Sequence, residues 1–172
     1  AYKNIVEWLN GKRKAYSDKT SNQEVKADWS NGNVAMTGLS WAGTTTFGVA
    51  STGVEGLKTI VTAAGIDSWY DHFNSQGSPL DTVASNDLSW LSVYTSGRIL
   101  DKEDWDKVKD YYAAYITKLN DLQHKDGHNY NEEYAKRDYT LNAANLKAAP
   151  LIIHGLISDN VTPKHFEPMW EA

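Results

Sequence analysis

Apolar positions along the chain gather into three short continuous runs and one long periodic one. Val34-Ala35-Met36 is the first run, Leu57 to Ala64 (LKTIVTAA) the second, and Pro150-Leu151-Ile152-Ile153, carried on through His154-Gly155, the third. Runs this short, without polar alternation, predict strands of a buried parallel sheet. The periodic segment differs in kind. Trp105, Val108, Tyr111, Tyr112, Tyr115, Ile116, Leu119 and Leu122 recur at three- and four-residue spacing, which predicts a helix. Asp101 stands where its N-cap belongs, Glu103 and Asp104 suit its first turn, and Asp126-Gly127 closes it.

Weaker patterns fill the intervals. Tyr2 to Leu9 reads as a short helix or buried segment stopped by Asn10-Gly11, and Lys12-Arg13-Lys14 as a solvated face. Glu24 to Trp29 is expected to form a helical turn, Asn74 to Leu80 a loop, and Asp81 to Tyr94 a helix. Asn131 to Leu146 reads as two further helical pieces. Pro163 sits at the first position of a last helix through Phe166, Met169 and Trp170, with Thr162 as its cap. Strand, helix and strand from Val34 to Ala64 make a right-handed parallel βαβ unit. Such units hold ligands at the carboxyl ends of their strands, so residue 40 and the stretch after Gly65 share one rim. The expected architecture is α/β. Residues 1–74 and 147–172 form the sheet core of one domain, and residues 75–146 are a helical insertion suited to a cap.

Composition narrows the class. The chain has 172 residues, 41% of them hydrophobic and 23% charged, as in an ordinary soluble domain. A net charge of -5 argues against nucleic acid or an anionic membrane as partner. No apolar run approaches the roughly 20 residues needed to span a bilayer. Ala1 opens neither a signal peptide nor a chain with its initiator methionine, so the N-terminus reads as a cut. The absence of cysteine excludes disulfides and thiolate metal sites and fits a cytoplasmic protein. Seven Trp and ten Tyr either fill the core or line a pocket for an apolar group.

Candidate chemistry centres on Gly38-Leu39-Ser40-Trp41-Ala42-Gly43, which follows the first strand and opens a segment of small and apolar residues. Strand, tight turn with serine at its apex, then helix is the setting of a nucleophile elbow. Glycine at position 38 and a small residue at 42 suit the close approach of strand and helix. The Trp41 amide falls at the helix N-terminus, where it can help hold an oxyanion. The usual pattern is G-x-S-x-G; here its fifth position is Ala42 and the glycine comes one residue later. The alternative is a glycine-rich turn with an ordinary serine. Ile66 to Phe73 (IDSWYDHF) is either one wall of a specificity pocket or aromatic packing under a loop. His124 and His128 read as part of a solvated turn, and no metal or other cofactor is called for. His154, at the end of the third strand, reads as a structural residue bonded to nearby backbone.

A serine nucleophile needs a base, and the base an orienting carboxylate. In α/β-hydrolases the order is Ser, Asp or Glu, then His, with the acid just beyond a late strand, where Asp159 lies. His165 alone follows Asp159, too close behind it for the usual loop. The base is therefore expected beyond Ala172. The early strands that normally precede an elbow are missing as well, so the fold is a partial α/β-hydrolase fold.

Five stretches make the sequence recognisable: IVEWLNGKRKAYSD, VKADWSNGNVAMTGLSWAGTTTFGVASTGVEGLKTIV, AGIDSWYD, LNAANLKAAPLIIHGL and NVTPKHF. In this order they resemble the X-prolyl dipeptidyl aminopeptidases, serine peptidases of lactic acid bacteria and relatives. The resemblance covers nearly the whole chain but only the middle of the family's catalytic domain. It implies that Ser40 is the nucleophile, that Trp69 helps form a proline-accepting pocket, and that Asn160 and Val161 lie near the substrate. The carboxylate that meets the substrate's amine in the family falls nearest Asn86 and its neighbour Asp87. The same alignment puts Ser158 where the family has its catalytic acid. Asp159 stands one residue late and is kept as the acid because it is the only carboxylate there.

Three functions are weighed. The first is a serine exopeptidase that removes an X-Pro dipeptide from a free peptide N-terminus. The second is a related ester or amide hydrolase on the same fold. The third is a catalytically dead or truncated copy kept as an interaction module. The isolated chain is expected to lack appreciable peptidase activity. Three strands with incomplete helical layers are expected to leave apolar sheet surface open, which favours association into a homo-oligomer.

Overall fold

The computed structural model describes residues 1–80, 88, 89, 92 and 102–171. They fall into two compact units, residues 1–67 with 139–172 and residues 68–138.

The first unit is built on a three-stranded parallel sheet in the order β3-β4-β7, with β3 at Val34–Leu39, β4 at Leu57–Ala63 and β7 at Ala149–Ile153. These are the three apolar runs. The helix α2, Trp41–Ala50, joins β3 to β4, so the predicted parallel βαβ unit is present. Side-chain alternation then decides what each face does. Met36, Ile60 and Ile152 face the core cluster that contains Phe47 of α2, Val6 of helix α1 (Tyr2–Leu9) and Met169. On the other face, Leu39, Ala63 and Ile153 stand in one row, with Thr37, Val61 and Leu151 in the next. Leu39 is 68% exposed, Leu151 55% and Ile153 51%.

α2 carries three consecutive β-branched residues, a poor helical choice by propensity. Their hydroxyls explain the tolerance. Thr44, Thr45 and Thr46 donate to the carbonyls of Ser40, Trp41 and Gly43 at 3.1, 3.1 and 2.7 Å, so each polar group is satisfied along its own helix.

Glu24 to Trp29 does not form the expected helical turn. Glu24–Val25 is strand β2, antiparallel to β1 at Ala15–Tyr16, and the Ser17 amide donates to the Gln23 carbonyl at 3.0 Å. A six-residue helix is marginal by itself, whereas the hairpin supplies backbone partners at once. The last helix is broken into a 3-10 turn at Pro163–His165 and helix α6 at Glu167–Glu171. Pro168 has no N–H for a carbonyl one turn back, so a continuous helix would lose a bond there.

The second unit contains helix α3 at Trp69–Phe73, capped by Ser68, and the long helix α4 at Lys102–Gln123. α4 confirms the periodic run but stops at Gln123 rather than at Asp126-Gly127. Asp101, its expected cap, and most of Asp81 to Tyr94 lie outside the described residues. Asn74 to Leu80 is a small hairpin rather than a loop: β5 at Asn74–Ser75 pairs antiparallel with β6 at Ser78–Pro79. Gln76 and Gly77 at its tip have φ of 51° and 81°, the left-handed pair that a two-residue hairpin turn requires. Helix α5 is Glu132–Ala135. Tyr70 meets Tyr130 and Tyr134 edge to face, with centroids 5.2 and 5.1 Å apart. No helix among the described residues is long and apolar enough to cross a membrane.

Candidate active site

The carboxyl ends of the three strands leave the sheet in register. Leu39 pairs with Ala63 and Ala63 with Ile153, so Ser40, Ala64 and His154 emerge side by side. Ser40 has φ 56° and ψ -119°, a conformation costly for a residue with a Cβ. It persists because both neighbours are fixed. The Ser40 amide donates to the Ala63 carbonyl at 2.8 Å, and the Ser40 carbonyl accepts from the Thr44 amide at 2.8 Å. The strained residue thus closes a strand and opens a helix at once. Ser40 is exposed, and although it is the N-cap residue its side chain makes no cap hydrogen bond. No side chain among the described residues hydrogen-bonds its Oγ.

Two glycines permit this turn. A Cβ on Gly38 would overlap the backbone of Ala42 and Gly43, and a Cβ on Gly43 would come within 2.8 Å of the Ala63 carbonyl oxygen. The residue pressed against β4 is Gly43, while Ala42 points outward and is exposed. That accounts for alanine at the fifth position of the motif and glycine one residue later. Trp41 begins α2, so its amide belongs to the first turn, whose N–H groups point off the helix end. α2 carries no charged residue, and its own side chains leave the positive end of its dipole uncompensated.

Asp159, Asn160 and Val161 lie in the segment that leaves the end of β7, two strands across from Ser40. Asp159 and Asn160 are exposed, Ser158 is half-buried, and Val161 is 4% exposed. His154 Nδ1 is 3.1 Å from the carbonyl oxygen of Gly155, the backbone partner expected of a structural histidine. The ring lies 5.8 Å from that of Phe166. Trp69 belongs to the second unit, where it is buried, stacked on Phe73 at 5.9 Å and edge-on to His72 at 5.7 Å. Asn86 and Asp87 lie outside the described residues. His124 and His128 bring their rings to 5.7 Å, but among the described residues no group of three or more His, Asp or Glu is placed to hold a metal ion.

Sequence reasoning passed over one pairing. His165 is fully buried, and its Nδ1 lies 2.7 Å from Oδ1 of Asp67, itself 1% exposed. A carboxylate oxygen only accepts, so Nδ1 carries the hydrogen. The partners are 98 residues apart, and nothing in the linear pattern joins them.

A family model described as X-Pro dipeptidyl-peptidase (S15 family) matches residues 1–172. The chain is 38% identical over 170 residues to the Xaa-Pro dipeptidyl-peptidase of Pediococcus pentosaceus, a match covering 98% of the chain and 21% of that relative. It is 41% identical over 176 residues to the Xaa-Pro dipeptidyl-peptidase of Streptococcus pneumoniae strain Hungary19A-6, covering 100% of the chain and 23% of the relative. The chain therefore spans about a fifth of the length of these curated relatives.

Proposed function

The chain belongs to the X-Pro dipeptidyl-peptidase (S15) family, and we propose that it carries the nucleophile of a serine exopeptidase releasing X-Pro dipeptides from peptide N-termini. The observation that carries this reading is Ser40, exposed and strained at the end of β3, with an Oγ not spent on capping its own helix.

In this reading Ser40 Oγ adds to the carbonyl carbon of the substrate's proline, and the oxyanion forms against the Trp41 amide. A histidine from outside these 172 residues takes the Oγ proton and returns it to the departing amine. His154 bonds its neighbouring backbone and His165 bonds Asp67, which supports looking for the base elsewhere. Asp159 orients that histidine. Water then cleaves the ester on Ser40 and frees the dipeptide. Trp69 serves the proline ring, which is rigid, apolar and without an N–H. Asn160 and Val161 lie beside the substrate, and Asn86 or Asp87 meets its free amine. The isolated 172-residue polypeptide has no appreciable peptidase activity. A reducing cytoplasmic setting fits a chain without cysteine.

The test uses the full-length protein that carries this chain. A fluorophosphonate probe should label Ser40, and labelling should vanish in Ser40→Ala. Hydrolysis of an X-Pro amide should exceed that of a simple ester. Preference for the ester would move the reading to the related hydrolase, and an unlabelled Ser40 would make this a dead copy.

A further inference from the structure

We propose that Asp67 and His165 are a positioning pair, which couples the elbow carrying Ser40 to the Asn160–Val161 segment beyond β7. This rests on the peptidase reading of Ser40 and names two residues that set the geometry of the same site.

The coupling runs through hydrogen bonds joined by short stretches of chain inside the first unit. The Ser40 carbonyl accepts from both the amide and the Oγ1 of Thr44, at 2.8 and 3.1 Å. Thr44 Oγ1 in turn accepts from the Ile66 amide at 2.9 Å. Asp67 follows directly. Its carbonyl accepts from the Tyr139 amide at 2.8 Å, and its carboxylate holds His165 at 2.7 Å. The His165 amide donates to the Thr162 carbonyl at 3.1 Å, one residue past Val161. The elbow and the late segment are thus tied through α2 and the turn after β4.

The late segment needs such an anchor. From Gly155 to Asn160 it has no helix or strand, Leu156 is 80% exposed, and Ile157 is fully exposed. Its position is set by β7 on one side and by Val161, His165 and Met169 on the other, and these three are buried. An apolar pair would fill the space between residues 67 and 165 at least as stably, because a buried carboxylate and imidazole both lose hydration. What a hydrogen bond adds is direction: it holds the two side chains in one geometry. Displacement of about 1 Å near reacting atoms can cost on the order of a hundredfold in rate.

The experiment compares His165→Leu with His165→Asn in the full-length protein, because asparagine keeps a donor near the place of Nδ1. Three quantities are read: the kcat and KM for an X-Pro amide, the rate of fluorophosphonate labelling at Ser40, and amide hydrogen exchange. His165→Leu should lower kcat/KM at least about tenfold and slow labelling of Ser40 as well, because Asp159 lies in the segment that the pair holds. Exchange should quicken at residues 156–165 and stay unchanged in Leu57–Ala63. His165→Asn should recover most of the loss. If the leucine variant fails to fold, Asp67→Ala, which removes the acceptor, is read in its place against the native protein for the same selective exchange at residues 156–165. Uniformly faster exchange, unchanged exchange, or asparagine no better than leucine overturns the proposal. A native protein that does not cleave the X-Pro amide overturns the peptidase reading instead, and the exchange measurement still decides the coupling.

Discussion

The amide of Ser40 donates to the carbonyl of Ala63 at 2.8 Å, so the residue with φ of 56° is still a rung of the β3–β4 ladder. The ladder and the Thr44 bond hold Ser40 where an L-residue would not choose to sit. Ser40→Gly should therefore raise stability by about 1 kcal/mol, the strain released less the extra chain entropy of glycine. It should also abolish fluorophosphonate labelling. Urea denaturation measures the first effect. A loss of stability in this variant would show that the turn is not strained.

Gly43 and Ala42 should respond unequally to exchanging a methyl group. Gly43→Ala places a Cβ 2.8 Å from the Ala63 oxygen and 3.1 Å from the Gly38 oxygen, both backbone atoms that cannot swing aside. A cost of about 1–3 kcal/mol follows, as for other overpacked sites. Ala42→Gly exposes nothing new and should cost no more than about 1 kcal/mol of helix propensity. Thermal melts of the two variants side by side decide which residue abuts β4.

Thr46 and Thr62, both fully buried, share a hydrogen bond between α2 and β4. Thr46 Oγ1 also donates to the Gly43 carbonyl, so Thr62 is the donor to Thr46. Thr62→Val leaves Thr46 with its carbonyl partner and should cost about 1 kcal/mol. Thr46→Val strands the Thr62 hydroxyl and should cost more, about 1–3 kcal/mol. The double variant should be less damaging than the sum, which a double-mutant cycle by urea denaturation measures.

In the second unit, hydrogen bonding from Lys136, assisted by Arg137, holds the Glu133 carboxyl below its usual 4.5, although burial works against this. A depressed carboxylate adds stability that is present above about pH 4.5 and is lost as pH falls through the lower, folded value. Glu133→Gln should lower stability by about 1 kcal/mol at pH 7, and the gap to the native protein should shrink below pH 4. Denaturation at pH 7 and pH 3.5 checks the sign.

Local pattern alone determined the three strands of the parallel sheet, the βαβ unit, the serine at its turn and the long helix. Each depends on contacts within a few residues or on a period that burial imposes. It misled where such signals are weak: Val25 found its partner at Ala15, and Pro168 divided the final helix. The G-x-S-x-A spacing looked like a departure from the motif until the sheet showed that the clash to be avoided lies between residue 43 and β4. Only the tertiary structure decided that Asp67 and His165 meet, and which face of the sheet is the open one, that of Leu39, Leu151 and Ile153. The reason is physical. Propensity and periodicity act along the chain, whereas a pairing across 98 residues arises only once the backbone has folded and left two polar side chains without water.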